Sequence, residues 1–178
     1  MSVVVRRVLP DDLDFLVALA QHEDVQPFLA ASRPTDRDSI LADIERSAEE
    51  PEVFGVFVIE ADGERAGVMR FSSRGGPNRI AELGGLAVHP EHRGRKLADD
   101  AARLFQRHLF EELGFHRLQL EVYGFNERAM RHAERSGFVL EGRKRRAYLR
   151  DGEWVDGVVY GLTVEDLPTP PRATPADR

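Results

Sequence analysis

The spacing of apolar residues along this chain changes period several times, and each change marks an element. Segment 3–9 is β-branched and reads as an opening strand. In "DDLDFLVALAQ", Leu13, Leu16, Val17 and Ala20 recur at helical spacing on one face, and Pro27 ends or bends that helix. "TDRDSILADIERSAEE" predicts a second helix, with Thr35 as its cap and Ile40, Ile44 and Ala48 on one stripe. Two apolar runs then flank Asp62-Gly63 in "VFGVFVIEADGERAGVMRFS", a hairpin signal. "RIAELGGLAVHP" is a further strand, whose Gly84 and Gly85 weaken regular pairing and predict a bulge or a close backbone approach.

The second half alternates helix and strand. A helix opening at Leu97-Ala98 turns Ala101, Leu104, Phe105 and Leu109 inward and stops at Gly114. "HRLQLEV" alternates as a strand, and "NERAMRHAERSG" is a short helix capped by Asn126 and stopped by Gly137. "FVLEGRKRRAYLR" and "EWVDGVVYGL" form a hairpin turning at Asp151-Gly152. The order predicts an α/β (α+β) fold with a mixed sheet, because the strand–helix–strand unit from Ile80 to Val122 reads as a right-handed parallel crossover. One domain over 1–167 is expected, followed by an unpacked Pro-rich tail at 168–178.

Composition narrows the chemistry. The 178 residues include no cysteine, which excludes disulfides, thiolate metal sites and a cysteine nucleophile. The net charge of −6 argues against bulk nucleic-acid binding, although basic residues bunch in "HRGRK" and "RKRRAYLR". A block such as Arg143–Arg146 reads first as a solvated face and second as a contact for phosphates or an acidic partner. No apolar run is long enough for a membrane span, and "MSVVVRRVLP" has the wrong order for a signal peptide, so the cytoplasm is the expected compartment. His22, His89, His92 and His132 lack metal-ligand spacing, and no metal is expected. A hydrolase elbow of the G-x-S-x-G kind is absent.

The loop "RGRKLA" at the head of the third helix is the main candidate site. A helix N-terminus presents unsatisfied N–H groups and partial positive charge, and converging amides can hold a diphosphate. Gly94 supplies backbone freedom, Ala98 permits close approach, and Arg93, Arg95 and Lys96 add charge. Neither Walker nor Rossmann glycine spacing is present, and taken alone the loop is compatible with an ordinary basic surface loop.

In context, "LGGLAVHPEHRGRKLADDA" followed by "LEVYGFNERAMRHAERSGFVLEG" resembles the GNAT superfamily of acyl-CoA-dependent N-acetyltransferases. That family's loop reads R/Q-x-x-G-x-G/A after a strand ending V-x-P. Arg93 and Ala98 match its ends, and Lys96 replaces the middle glycine. Asn126, Ala129, Glu134, Arg135, Gly137 and Phe138 match the later N-x-x-A…E-K-x-G-F segment. The opening "RRVLPDDLDFLVALA" and the ending "EGRKRRAYLRDGEWVDGVVYGL" look like the Rim-type branch, which includes ribosomal-protein N-terminal acetyltransferases and related small-molecule enzymes. The resemblance covers nearly everything up to Leu167.

It implies a GNAT fold: a mixed, mostly antiparallel sheet with splayed strands flanked by helices. It also implies acetyl-CoA as cosubstrate, paired along Leu86, Ala87 and Val88, with the diphosphate on the amides of Gly94, Arg95, Lys96, Leu97, Ala98 and Asp99. Asn126 would bond the pantetheine or amine region. A lysine at 96 keeps this cradle provided its backbone angles are ordinary. Direct acetyl transfer to a primary amine is implied, the acceptor being a protein N-terminus, a polyamine or a small amine in a pocket lined by the first two helices and the last hairpin, residues 26–33 and 143–160, and a homodimer is a common assembly of this branch. Glu121 and Glu82 are the candidate bases, each with an alternative reading as a rim carboxylate, and a backbone N–H near Ala87 or Val88 would meet the oxyanion. Ala133 stands where many relatives carry the tyrosine that protonates the leaving thiolate, so no general acid is assigned. Together with Lys96 it motivates a second reading, a catalytically weak or inactive acyl-CoA-binding module. A third reading is an interaction domain using "RKRR".

Overall fold

The computed structural model describes residues 1–30, 33 and 35–167. The Pro-rich tail expected at 168–178 lies outside the described residues. Seven strands form one sheet in the order β1-β2-β3-β4-β5-β7-β6. They span β1 Val3–Arg7, β2 Phe54–Ala61, β3 Glu64–Ser72, β4 Ile80–Val88, β5 Arg117–Tyr123, β6 Val139–Arg150 and β7 Glu153–Thr163. All neighbours are antiparallel except β4 and β5, the strand–helix–strand pair expected from the sequence. Both hairpin turns place an Asp-Gly pair at positive φ, 52° and 86° at Asp62-Gly63 and 50° and 82° at Asp151-Gly152. That geometry matches the twist of the flanking strands.

The helices divide between the two faces. α1 (Leu13–Gln21) and α2 (Arg37–Glu49) cover one face over Leu16, Leu19, Ile40, Ile44, Val56 and Val58. α3 (Leu97–Arg107) and α4 (Glu127–Arg135) cover the other over Leu97, Phe105, Phe71, Leu118, Tyr160 and Leu162. After α3 one π-helical turn, His108–Glu112, leads to Gly114 at φ 65°. Burial on both faces explains why β2 reads as a nearly continuous apolar run rather than an alternating one.

Three helix details differ from the sequence expectation. Asp36, not Thr35, caps α2, its side chain accepting from the Ser39 N–H. Ser47 takes the buried position expected for Ala48, because its Oγ accepts from the Val56 N–H at 3.0 Å and from Arg7 Nη1 at 3.0 Å. Leu104 is exposed, since the buried stripe of α3 runs through Leu97, Ala101 and Phe105 with Ala102 beside it.

The start of the chain is anchored by a buried carboxylate. Asp12 accepts from Arg6 at 2.8 and 3.0 Å, from Arg65 at 2.6 Å and from the Leu9 N–H at 2.8 Å. Burial alone would push its carboxyl up, but these donors outweigh it and hold it at about 2.

Candidate active site

The two parallel strands part. β4 and β5 pair only from Ile80–Arg117 to Leu83–Leu120, and beyond that point no ladder joins them. The cause is in β4. Gly85 takes φ 61°, and the β3–β4 register shifts between Val68 and Arg70, so the bulge expected at Gly84 and Gly85 is present. A bulge bends its strand and breaks regular pairing. On the β3 side the ladder resumes at Val68–Ala87 and Gly67–Val88, and the His89 N–H reaches the Ala66 carbonyl at 2.8 Å. By the alternation of an antiparallel ladder, the Val88 N–H and C=O then point toward the gap. Arg93 Nε already donates to that carbonyl at 3.1 Å, leaving the Val88 N–H to face the opening.

The gap widens into a cleft of about 1210 Å³, larger than the roughly 300–1,000 Å³ of an ordinary small-molecule pocket. Leu86, Ala87, Val88, Arg93, Gly94, Lys96, Leu97, Ala98, Asp99, Asn126, Glu82 and Glu121 all line it, so residues separated by up to 44 positions share one cavity. Arg95 does not line it, and its side chain is exposed.

At one end lies the loop before α3. The backbone N–H groups of Gly94, Arg95, Lys96, Leu97 and Ala98 donate no hydrogen bond among the described residues. The Asp99 N–H is different: it donates to the Lys96 carbonyl at 3.0 Å, which takes it out of the expected cradle. Lys96 itself adopts φ 60° and ψ 12°, the left-handed region. The condition set for the lysine, ordinary backbone angles, is therefore not met; it takes the conformation a glycine would, at a cost of about 1 kcal/mol, and keeps its N–H. Arg93, Lys96, Arg103, Arg128 and Arg135 line this end. Asp99, in the first turn of α3, would oppose an anion there. Arg135 hydrogen bonds hold its carboxyl below the ordinary range against burial, with His132 Nδ1 2.8 Å away on its other flank. Asn126 caps α4 by accepting from the Ala129 N–H at 3.1 Å, so its amide NH₂ is the group left for the cleft.

The other end is built from side chains. Glu121 accepts from Lys144 Nζ at 2.6 Å and from the Tyr148 hydroxyl at 2.7 Å. The absence of a side chain at Gly157 makes room for this carboxylate, because a Cβ there would collide with it. Its hydrogen bond to Glu121 raises Lys144, and burial followed by its own hydrogen bond to Glu121 raises Tyr148, so at neutral pH one is an ammonium and the other a neutral phenol. Glu82 accepts from Gln119 Nε2 at 2.7 Å. Tyr123 lies edge-on to Tyr148 with ring centroids 5.5 Å apart. Arg33 and Arg70 also line this end. Ala133 is buried, 2% exposed, and brings no hydroxyl to the cleft. The spans 26–33 and 143–160 were expected along the acceptor pocket, and Arg33, Lys144 and Tyr148 from them line the cleft. Sequence reasoning missed Arg70 and the pairing of Lys144 and Tyr148 with Glu121, which the basic block gave no sign of.

Residues 2–139 match the family described as Acetyltransferase (GNAT) domain. The chain belongs to the GNAT family. It is 33% identical over 82 residues to the SPbeta prophage-derived uncharacterized N-acetyltransferase YokL of Bacillus subtilis (strain 168), 46% of each chain. It is 31% identical over 102 residues to the spermidine N(1)-acetyltransferase of Escherichia coli (strain K12), 57% of this chain and 54% of that one. The matched stretches thus span about half the length of these curated relatives. The structure of Mycobacterium smegmatis RimJ in complex with CoA-disulfide matches with a TM-score of 0.80 at 26% identity, over 93% of this chain and 84% of that one. That likeness supports the Rim-type branch of the GNAT family. No group of three or more His, Cys, Asp or Glu side chains suited to a metal ion occurs among the described residues. No helix among them is long and apolar enough to cross a membrane.

Proposed function

We propose that this protein is an acetyl-CoA-dependent N-acetyltransferase that acts on a primary amine by direct transfer in a ternary complex. The observation that carries this reading is the row of unengaged amides from Gly94 to Ala98 at the mouth of a cleft opened by strand parting. Unengaged amides at a helix start favour an anion, and a diphosphate provides several acceptors at once. Basic side chains around the loop add charge-assisted bonds. The gap between β4 and β5 has the form of a missing strand, which the pantetheine arm would fill along the edge of β4 at Leu86. The residues present therefore fit the cosubstrate, whose contribution is an activated acyl group on a good leaving thiolate.

The chain's own groups supply the rest. An alkyl amine arrives protonated at neutral pH, and a carboxylate base, direct or through water, contributes about 10²–10⁴-fold. Glu121 and Glu82 are the candidates. Glu121 sits in a fixed network with Lys144 and Tyr148, so its orientation is set before any acceptor arrives. The Val88 N–H is the donor we assign to the developing oxyanion. With alanine at 133, the neutral Tyr148 phenol is the cleft hydroxyl we add as a proton donor to the leaving sulfur, either directly or through water. The cytoplasm, where acyl-CoA is made and spent, and a homodimer are the expected setting and assembly.

Isothermal titration with acetyl-CoA, followed by a thiol-release screen over amines, tests this reading. Micromolar binding and turnover of at least one acceptor support it, and no binding up to millimolar cosubstrate removes it. Ala133 and the left-handed Lys96 favour the second reading, a weak acyl-CoA-binding module, over which thiol release decides.

A further inference from the structure

Beside the β4 bulge the cleft holds two guanidinium groups, Arg33 and Arg70, with one carboxylate, Asp43, close to both. Arg70 on β3 is 5% exposed and pairs with Asp43 of α2. Arg33, from the connection between α1 and α2, lies flat against the β4 bulge. A Cβ on Gly84 would sit 3.1 Å from Arg33 Nη2, and one on Gly85 would sit 3.4 Å from its Cζ and Nε. The glycine pair therefore does two things: it parts the strands, and it makes room for this guanidinium.

Arg33 has no side-chain partner among the described residues, and its Nε is buried without an acceptor. A buried donor left unsatisfied costs about 1–3 kcal/mol, and a second cation nearby adds to the cost. Asp43 can balance only one of the two arginines. The other acids of the cleft are placed elsewhere: Asp24 lies beside Arg93, Glu82 holds Gln119, Glu121 holds Lys144 and Tyr148, and Asp99 holds Arg135 and His132. A planar guanidinium with open donors facing a cleft is suited to a two-oxygen anion, which it meets with paired hydrogen bonds.

We propose that Arg33, backed by Arg70, is an oxyanion subsite for the acceptor, so that the amine this enzyme acetylates also carries a carboxylate. The inference rests on the acetyltransferase reading and narrows its substrate class. The amine nitrogen bonds to the thioester carbonyl carbon, the C–S bond breaks, and the amine's proton passes to the departing thiolate; the carboxylate is unchanged and serves only to align the amine. A polyamine is the wrong partner for Arg33, because it would bring positive charge against the two guanidiniums beside the bulge.

The test is a thiol-release screen of the standard L-amino acids and straight-chain ω-amino acids, each beside its own carboxamide, with phosphoethanolamine and spermidine as further arms. At least one carboxylate acceptor is expected to exceed its carboxamide by about tenfold or more in kcat/KM, equivalent to about 1.4 kcal/mol. Arg33→Gln should bring that ratio near one while acetyl-CoA affinity changes less than about twofold, and Arg33→Lys should fall between. Spermidine or the carboxamides matching the carboxylates would overturn the proposal, and Arg33-dependent preference for phosphoethanolamine would overturn the choice of carboxylate. If no acceptor turns over, the same amino acids are titrated onto the CoA-loaded protein and the melting temperature is read. Stabilisation of the wild type but not of Arg33→Gln would keep the subsite while the transferase reading fails. No Arg33-dependent shift with any of these anions would remove the subsite itself.

Discussion

At the loop end of the cleft the available groups are main-chain amides from one stretch, Gly94 to Ala98. At the opposite end they are side chains brought from β3, β5, β6 and the α1–α2 connection: Arg70, Glu121, Lys144, Tyr148 and Arg33. The difference has a physical consequence. Amides tolerate any side chain that leaves the backbone path intact, which is why lysine can stand at position 96 in a left-handed conformation. Side-chain networks tolerate little, because moving one member leaves another unpaired. The loop end should therefore respond to changes in backbone and the opposite end to changes in single atoms.

The largest expected effect is at the loop. Gly94 has φ 80°, which proline at about −65° cannot adopt, and proline also removes the N–H. Gly94→Pro should weaken acetyl-CoA binding by about 100-fold in titration calorimetry, or about 2.7 kcal/mol, with the fold retained by circular dichroism. Unchanged affinity would place the cosubstrate elsewhere. At the other end, Glu121→Gln keeps the shape and removes the charge. It should lower kcat by about 10–100-fold with acetyl-CoA affinity unchanged, and an unaltered pH–rate profile would acquit Glu121. A loss of affinity as large as the loss of rate would erase the distinction between the two ends.

Smaller changes sharpen it. Lys96→Gly removes the left-handed strain and should raise the melting temperature by about 2–4 °C, the shift that about 1 kcal/mol gives in a protein of this size. Acetyl-CoA affinity should change less than about threefold if the amide rather than the ammonium is what binds. A destabilised Lys96→Gly would mean that the lysine side chain has a structural partner. The smallest effect concerns Asp99. Arg135 holds its carboxyl below the ordinary range, so its contribution to stability is present above the usual carboxylate pKa and lost as pH falls through the lowered one. Asp99→Asn should flatten that acid limb by only a few tenths of a kcal/mol, since Arg135 is exposed. An unchanged acid limb in urea melts would count against the pair.

The two ends also differed in how far the sequence revealed them. Local signals carried the fold: the Asp-Gly turns, the glycine bulge at 84 and 85, and the Gly137 stop are each written within a few residues. The loop end was legible for the same reason. Its left-handed Lys96 was not, because φ at a non-glycine residue is imposed by its surroundings. Ser47 displaced Ala48 from the core because its partners are Val56 and Arg7, 9 and 40 residues away. The Tyr148–Glu121–Lys144 network depends on β6 lying across β7 from β5, and the shift between Lys144 and Tyr148 in that pairing leaves no periodic trace. The span ending at Arg33 was expected along the pocket, but only the packing of the bulge shows what its guanidinium faces.

The central claim is that coenzyme A is gripped by main chain at the head of α3. The most direct measurement is a crystal structure of the protein grown with coenzyme A in excess. The expected result has the diphosphate oxygens within hydrogen-bonding distance of the amides between Gly94 and Ala98, with the pantetheine arm lying between β4 and β5. A diphosphate bound at any other surface, or a pantetheine that leaves the strand gap empty, would contradict it.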